Sequence, residues 1–247
     1  MSHGERERAP GGIDVTRPSV SRVYDALLGG TENAEADRRM LAQVLLVAPD
    51  AHEAAWTNRM FLRRVVRYLA GQCGVRQFLD IGSGLPTQGN VHEIAQATDP
   101  RSRVVYVDHD PLVLVHGQAL LASDASTVVV EADLRRPVEI LTHPQVRRLI
   151  DFDWPVGLLL FGILHHLTDD EDPAGIVSEL VEALPSGSYV AVSHFFDPGP
   201  AAPDVSRQVA TAELLFNRHR WRPHRPALSP RLGTAHETLI GGVACKL

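Results

Sequence analysis

Asp80, Asp108 and Asp133 each close an apolar run, in QFLD, RVVYVD and VVVEAD. An acid in that position stands at the carboxyl end of a strand, where open parallel sheets bind their ligands. Gly82 and Gly84 follow the first acid, with Ser83 between them. Two glycines so spaced let a backbone turn tightly and approach a ligand closely. Alone, the pair is weak evidence and often marks only a turn. Asp108 comes 24 residues after Gly84, near the roughly 20-residue spacing at which an acid meets ribose hydroxyls. Its bland alternative is a helix cap ahead of Pro111, but Asp110 is better placed for that task. Asp133 could accept from an adenine amino group. Its alternative is a surface acid paired with Arg135 or Arg136. Three strand-ending acids in succession are more specific than any one of them.

The glycine turn discriminates between nucleotides. A dinucleotide needs its pyrophosphate against free N–H groups at a helix N-terminus. Here the turn reads G-S-G-L-P-T, and Pro86 removes one donor. Thr87 occupies the place of the third glycine, and Asp80 would repel a pyrophosphate. S-adenosylmethionine carries an adenosine and a sulfonium cation but no phosphate. The turn therefore fits a methyl donor better than NAD, and an NAD-dependent oxidoreductase is the weaker reading.

These residues need a sheet to hold them. From Gln77 onward, five apolar strand-like runs alternate with helical stretches, ending with SYVAVSHF at Ser188–Phe195. The runs are nearly continuous Val, Leu and Ile, as expected of strands covered on both faces. The pattern predicts an α/β fold with a doubly wound, mostly parallel, Rossmann-like sheet. Before it come three helical stretches, about 19–28, 34–47 and 53–70. In the third, Phe61, Val65 and Leu69 recur every four residues beside Leu62 and Val66, forming one apolar stripe. Arg59, Arg63, Arg64 and Arg67 fall largely outside it. The division expected is a disordered N-terminus at 1–18, a helical cap at 19–72, an α/β domain at 73–217 and an atypical tail at 218–247. In the tail, Arg218–Arg231 holds five Arg, three Pro and two His without periodicity.

The chain has 247 residues, 44% of them hydrophobic, enough for one full-sized α/β domain. A net charge of −6 asks for neither nucleic acid nor an anionic membrane as partner. Cys73 and Cys245 suit a reducing compartment and exclude a cysteine-only zinc site. No apolar run approaches a membrane span, and the N-terminus lacks the apolar segment of a signal peptide. The expectation is a cytoplasmic protein.

The stretches SRVYDALLGGTENAEADR, NRMFLRRVVRYLA, RQFLDIGSGLPTQGNVHEIAQ, VVYVDHDPLVLVHGQALL, EADLRRP, LLLFGILHHLTDDEDPAGIV and LPSGSYVAVSH together resemble a family of S-adenosylmethionine-dependent methyltransferases. That family was once classed as a domain of unknown function. The resemblance spans about Pro18 to Asp197. It implies a class I methyltransferase fold with an N-terminal helical cap, S-adenosylmethionine as cofactor, and a methyl acceptor that the motif does not define. By position it implies Asp80, Gly82, Ser83 and Gly84 at the methionine end of the donor and Asp108 at the ribose, with His109 beside it. Asp133 and Leu134 would meet the adenine. Phe161 and Gly162 would border the methyl group, and Arg59 would pair with the methionine carboxylate, whose geometry a guanidinium matches. Arg59's alternative is a solvated helix face. Ala34 stands where the family carries a bulkier residue. The family also continues through a helix and two further strands. Here the helix begins, at Val205–Phe216, and then the Arg/Pro/His-rich tail replaces the expected pattern and reads as a decayed or frameshifted end. The expected loss of edge strands leaves a second reading, a non-catalytic S-adenosylmethionine-binding protein.

His165 and His166 follow the fourth strand and could accept a proton from an acceptor molecule, since histidine titrates near neutrality. Packing of His165 is the alternative. Asp169, Asp170, Glu171 and Asp172 read as a solvated loop capping the next helix rather than a cation site. Tyr24 and Asp25 could close over the donor or simply pack. His219 and His224 lack ligand spacing. The expected partner is a small-molecule methyl acceptor, with no metal.

Overall fold

The computed structural model describes residues 14–86, 89–121, 124–216, 233–236 and 239–247. Most of the N-terminal segment expected to be disordered lies outside these residues. So do Thr87, His219, His224 and the whole Arg218–Arg231 stretch.

Three helices come first: α1 (Val20–Leu27), α2 (Glu35–Val47) and α3 (Ala51–Gly71). The alternating part runs β1 (Gln77–Ile81), α4 (Val91–Thr98), β2 (Arg103–Asp108), α5 (Pro111–Leu120), β3 (Thr127–Glu131), α6 (Pro137–Thr142), α7 (Pro144–Leu149), β4 (Gly157–Phe161), α8 (Pro173–Glu182) and β5 (Tyr189–Phe195). The chain ends with α9 (Pro203–Phe216), β6 (Gly233–His236) and β7 (Leu239–Cys245). The single sheet has the order β3-β2-β1-β4-β5-β7-β6. Strands β1 to β5 pair in parallel, and β7 runs antiparallel to both neighbours.

Both faces of the sheet are covered, which is why its strands read as unbroken apolar runs. Leu79, Val105 and Leu158 face a cluster completed by α6, α7 and α8. Phe78, Val104 and Leu159 face the other way, onto α3, α4 and α5. The stripe on α3 lands here, with Val66 and Leu69 fully buried. The cap is therefore continuous with the sheet's own core through the second half of α3.

Two expectations need correction. Arg59 does not lie on a solvated face; it is 7% exposed. The edge strands are not lost either. TLIGGVACKL supplies β7, paired with β5 from Tyr189 opposite Cys245 to Phe195 opposite Leu239. Two glycines depress the strand propensity of that run. The first has a reason distant in sequence: a Cβ on Gly241 would collide with the Phe61 ring of α3. The chain end is tied down as well, since Lys246 Nζ donates to the Val181 and Glu182 carbonyls at the end of α8, at 2.9 and 3.1 Å.

The cap has its own fastener. Arg22 Nε donates to Asp37 Oδ2 at 2.7 Å, and both side chains are buried. Asp37 also accepts from the Ser19 and Ala34 N–H groups at 2.9 and 2.7 Å. Ala34, where a bulkier residue was expected, is the N-cap of α2.

Candidate functional site

The strand order reverses between β1 and β4, and in such sheets the ligand crevice opens there, beyond the strands' carboxyl ends. A cavity of about 430 Å³ lies at that place, within the size range of small-molecule sites. The ends of β1, β2 and β4 and the turn after β3 contribute Asp80, Asp108, Phe161 and Asp133. The cap helices α1, α2 and α3 close the opposite side. The residues that the sequence assigned to the donor and to proton transfer line this one cavity: Arg59, Asp80, Gly82, Ser83, Gly84, Asp108, His109, Asp133, Leu134, Phe161, Gly162, His165 and His166.

The glycine turn has left-handed φ values of +73° at Gly82 and +65° at Gly84, which favour glycine. At Gly82 a side chain would also strike Ile163. The N–H groups of Gly82 and Ser83 donate to the Val107 carbonyl at 2.8 and 3.3 Å. The Gly84 N–H donates to Asp108 Oδ2 at 2.9 Å. The turn's first donors are thus used within the protein, and none of the three remains to cradle a phosphate. Helix α4 begins at Val91. The prior use of the turn's donors disfavours a dinucleotide.

Asp108 is 7% exposed and also accepts from the Asp110 N–H at 3.0 Å. Burial raises its pKa, while the two backbone donors pull it down. Each carboxylate oxygen retains acceptor capacity beyond these two bonds. Asp110 performs the helix-cap role separately, accepting from the Leu112 N–H at 2.9 Å. It also accepts from the Ser19 hydroxyl at 2.6 Å, which stitches the cap to this strand end.

Asp80 is fully enclosed. Burial pushes its pKa up to about 7, opposed by the Arg59 guanidinium and reinforced by Asp108. Arg59 Nε is buried and has no hydrogen-bond partner among the described residues. A buried guanidinium nitrogen left unmet is costly. Arg59 as a residue lines the cavity, and a guanidinium fork matches a carboxylate.

Asp133 shows the pairing that the sequence left as its alternative. Arg135 Nε reaches both carboxylate oxygens, at 2.8 and 3.0 Å, and Arg135 is also paired with Glu171. Asp133 still lines the cavity, and four lone-pair sites leave room for one more donor. Leu134 beside it is buried.

His165 is 2% exposed. Burial holds its pKa well below the ordinary value, with His166 and His194 adding to the effect, so the ring is neutral at pH 7. The His166 ring lies tilted against it at 4.3 Å between centroids, and Phe195 meets His165 edge-on at 4.7 Å. Sequence reasoning missed His194, Phe195, Asn58 and Ser193 at this site. Asn58 donates to the Tyr24 hydroxyl at 3.0 Å and accepts from the Ser193 hydroxyl at 2.6 Å. That chain of bonds joins α1, α3 and β5 at the cavity floor. A short polar residue on a helix and another on a strand carry no signal of meeting. Tyr24 lines the cavity, while Asp25 is buried and accepts from Asn33 at 2.9 Å.

The acids at 169–172 behave as the loop reading expects: Asp172 caps α8 by accepting from the Gly175 N–H. Among the described residues no group of three His, Cys, Asp or Glu gathers as a metal site. No described helix is long and apolar enough to cross a membrane.

Comparison with known proteins agrees with this geometry. The model of a family described as S-adenosyl methyltransferase matches residues 6–245. The crystal structure of a candidate methyltransferase from Thermobifida fusca YX is 41% identical over 96% of this chain and 98% of its own, with a TM-score of 0.80. A DUF574 family protein from Streptomyces avermitilis MA-4680 is 34% identical over 95% and 99%, with a TM-score of 0.86. An O-methyltransferase family protein from Burkholderia thailandensis, at 13% identity over 81% and 59% and a TM-score of 0.54, shares the fold alone. A search of curated proteins finds no match. With the family model matching nearly the whole chain and two solved structures above 30% identity covering it, the chain belongs to the S-adenosyl methyltransferases, with S-adenosylmethionine as its cofactor.

Proposed function

We propose that this protein transfers the methyl group of S-adenosylmethionine to a small molecule. The observation that carries the reading is the unmet Arg59 Nε in a cavity shared with the glycine turn and Asp108. Arg59 would hold the donor's carboxylate, and Asp80 its positive end. Asp108 would accept from the ribose hydroxyls, with His109 at the rim. Asp133 and Leu134 would bracket the adenine, and Phe161 and Gly162 would border the methyl group. When bound, the donor supplies an electrophilic methyl on a sulfonium, so the chain's own work is alignment and exclusion of water. His165 and His166 would take the acceptor's proton where it carries one; a neutral imidazole is the competent form. The non-catalytic donor-binding alternative rested on missing edge strands, and the presence of β7 supports the catalytic reading.

Calorimetric titration with S-adenosylmethionine, S-adenosylhomocysteine and NAD tests this. The first two should bind in the micromolar range and NAD should not. His165→Ala and His166→Ala should leave donor affinity intact. Binding of NAD alone, or a large loss of donor affinity in either histidine variant, contradicts the assignment.

A further inference from the structure

The donor residues account for only one side of the cavity. The other side is walled by Val20 and Leu27 of α1, Met40 and Val44 of α2, Ala54 of α3 and Val209 of α9. These are apolar side chains from four helices. Ala54 is 4% exposed on the outside yet borders the cavity, so its small size creates volume rather than filling it. Charged lining residues outside the donor set are few. Asp50 stands at the amino end of α3, and Arg135 is held by Asp133 and Glu171. The nearby polar groups Tyr24, Asn58 and Ser193 are bonded to one another. A charged acceptor would shed its water here against walls that are mostly apolar, which is costly. At the junction between the two sides lie His165 and His166, beside Phe161 and Gly162.

Resting on the methyltransferase reading, we propose that the cap-side chamber takes a neutral, largely apolar small molecule that presents a hydroxyl to the His165–His166 pair. The hydroxyl oxygen forms the new bond to the methyl carbon. The C–S bond breaks with its electron pair left on sulfur, and the hydroxyl proton passes to the imidazole and on to water.

Three probes sharing one ring skeleton separate charge from shape: 1-naphthol, 1-naphthoic acid and 1-naphthylmethylammonium. Each is titrated into the full chain saturated with S-adenosylhomocysteine, and each is offered with methyl-labelled donor. We expect 1-naphthol to bind at least tenfold more tightly than either ion, and alone to take up label. Met40→Asp and Ala51→Trp, both at partly exposed wall positions, should each weaken 1-naphthol binding tenfold or more. Both should keep wild-type affinity for S-adenosylhomocysteine, which also shows that they are folded. If S-adenosylhomocysteine binds but the naphthol has no advantage over the ions, or the wall variants leave its binding unchanged, the chamber proposal falls and the donor assignment stands. If S-adenosylhomocysteine itself does not bind the wild type, the methyltransferase reading fails and the chamber proposal falls with it.

Discussion

Asp108 does two jobs with one carboxylate: it clasps the glycine turn through Gly84 N–H and offers remaining lone pairs to the cavity. Asp108→Ala should weaken donor binding by about 1–3 kcal/mol, the cost of leaving polar partners unmet. Calorimetry reads this directly, and unchanged affinity would remove the ribose assignment. Asp80 gives a pH signature. In the unfolded chain it loses its proton near 3.8; in the folded chain it holds it to about 7. Between those values the folded state binds the extra proton, so this group makes stability fall as pH rises from about 4 to about 7, and the deficit persists above. A cationic ligand end beside the ionised carboxylate offsets that deficit. The rise in Tm produced by S-adenosylmethionine should therefore be larger at pH 8 than at pH 6. An equal or smaller rise at pH 8 would show that Asp80 does not face the donor's positive end.

Among the elements, the cap is pinned where the cavity needs it. Arg22 and Asp37 form a buried pair between α1 and α2, and Asp37 also receives two backbone donors. Asp37→Ala leaves the Arg22 guanidinium buried and unpaired, a loss of about 3–5 kcal/mol. Urea denaturation should show it, and an Arg22→Met, Asp37→Leu double variant should recover much of it. A single-variant loss below about 1 kcal/mol would mean that the cap is held by its apolar contacts alone. The helices themselves were legible, because apolar spacing and turn residues are local signals. The Val66 and Leu69 stripe on α3 emerged buried as its period requires. The burial of Arg59 on that helix was not legible. Its exposure depends on α1 lying across it, with the guanidinium carbon 6.0 Å from the Tyr24 ring centre.

At the scale of the molecule, the chain's last strand reaches back to its first domain-forming helix. Gly241 of β7 admits Phe61 of α3, and Phe61 meets Phe161 at 5.3 Å between ring centres, at the cavity wall. Gly241→Val should cost about 1–3 kcal/mol through overpacking and should lower donor affinity by moving Phe161. Val243→Thr, at an exposed position on the same strand, should stay within about 0.5 kcal/mol of wild type. Equal behaviour of the two variants would break the link from tail to site.

The sequence by itself determined the order of helices and strands through β5, the three strand-ending acids, and a glycine turn better suited to a methyl donor than to a pyrophosphate. Each of these is written in neighbouring residues, through periodicity, a missing N–H or a conformational preference. Only the tertiary structure decided what depends on partners distant in the chain. The Gly-rich end is a strand because β5 offers it an edge and Phe61 needs its space. Asp133 is shared with Arg135, whose choice between neighbouring acids is settled by Glu171 on another loop. The apolar chamber exists because four helices, each amphipathic for its own reasons, bring their faces to one cavity. Local pattern fixes which residues turn inward, but not what they find there.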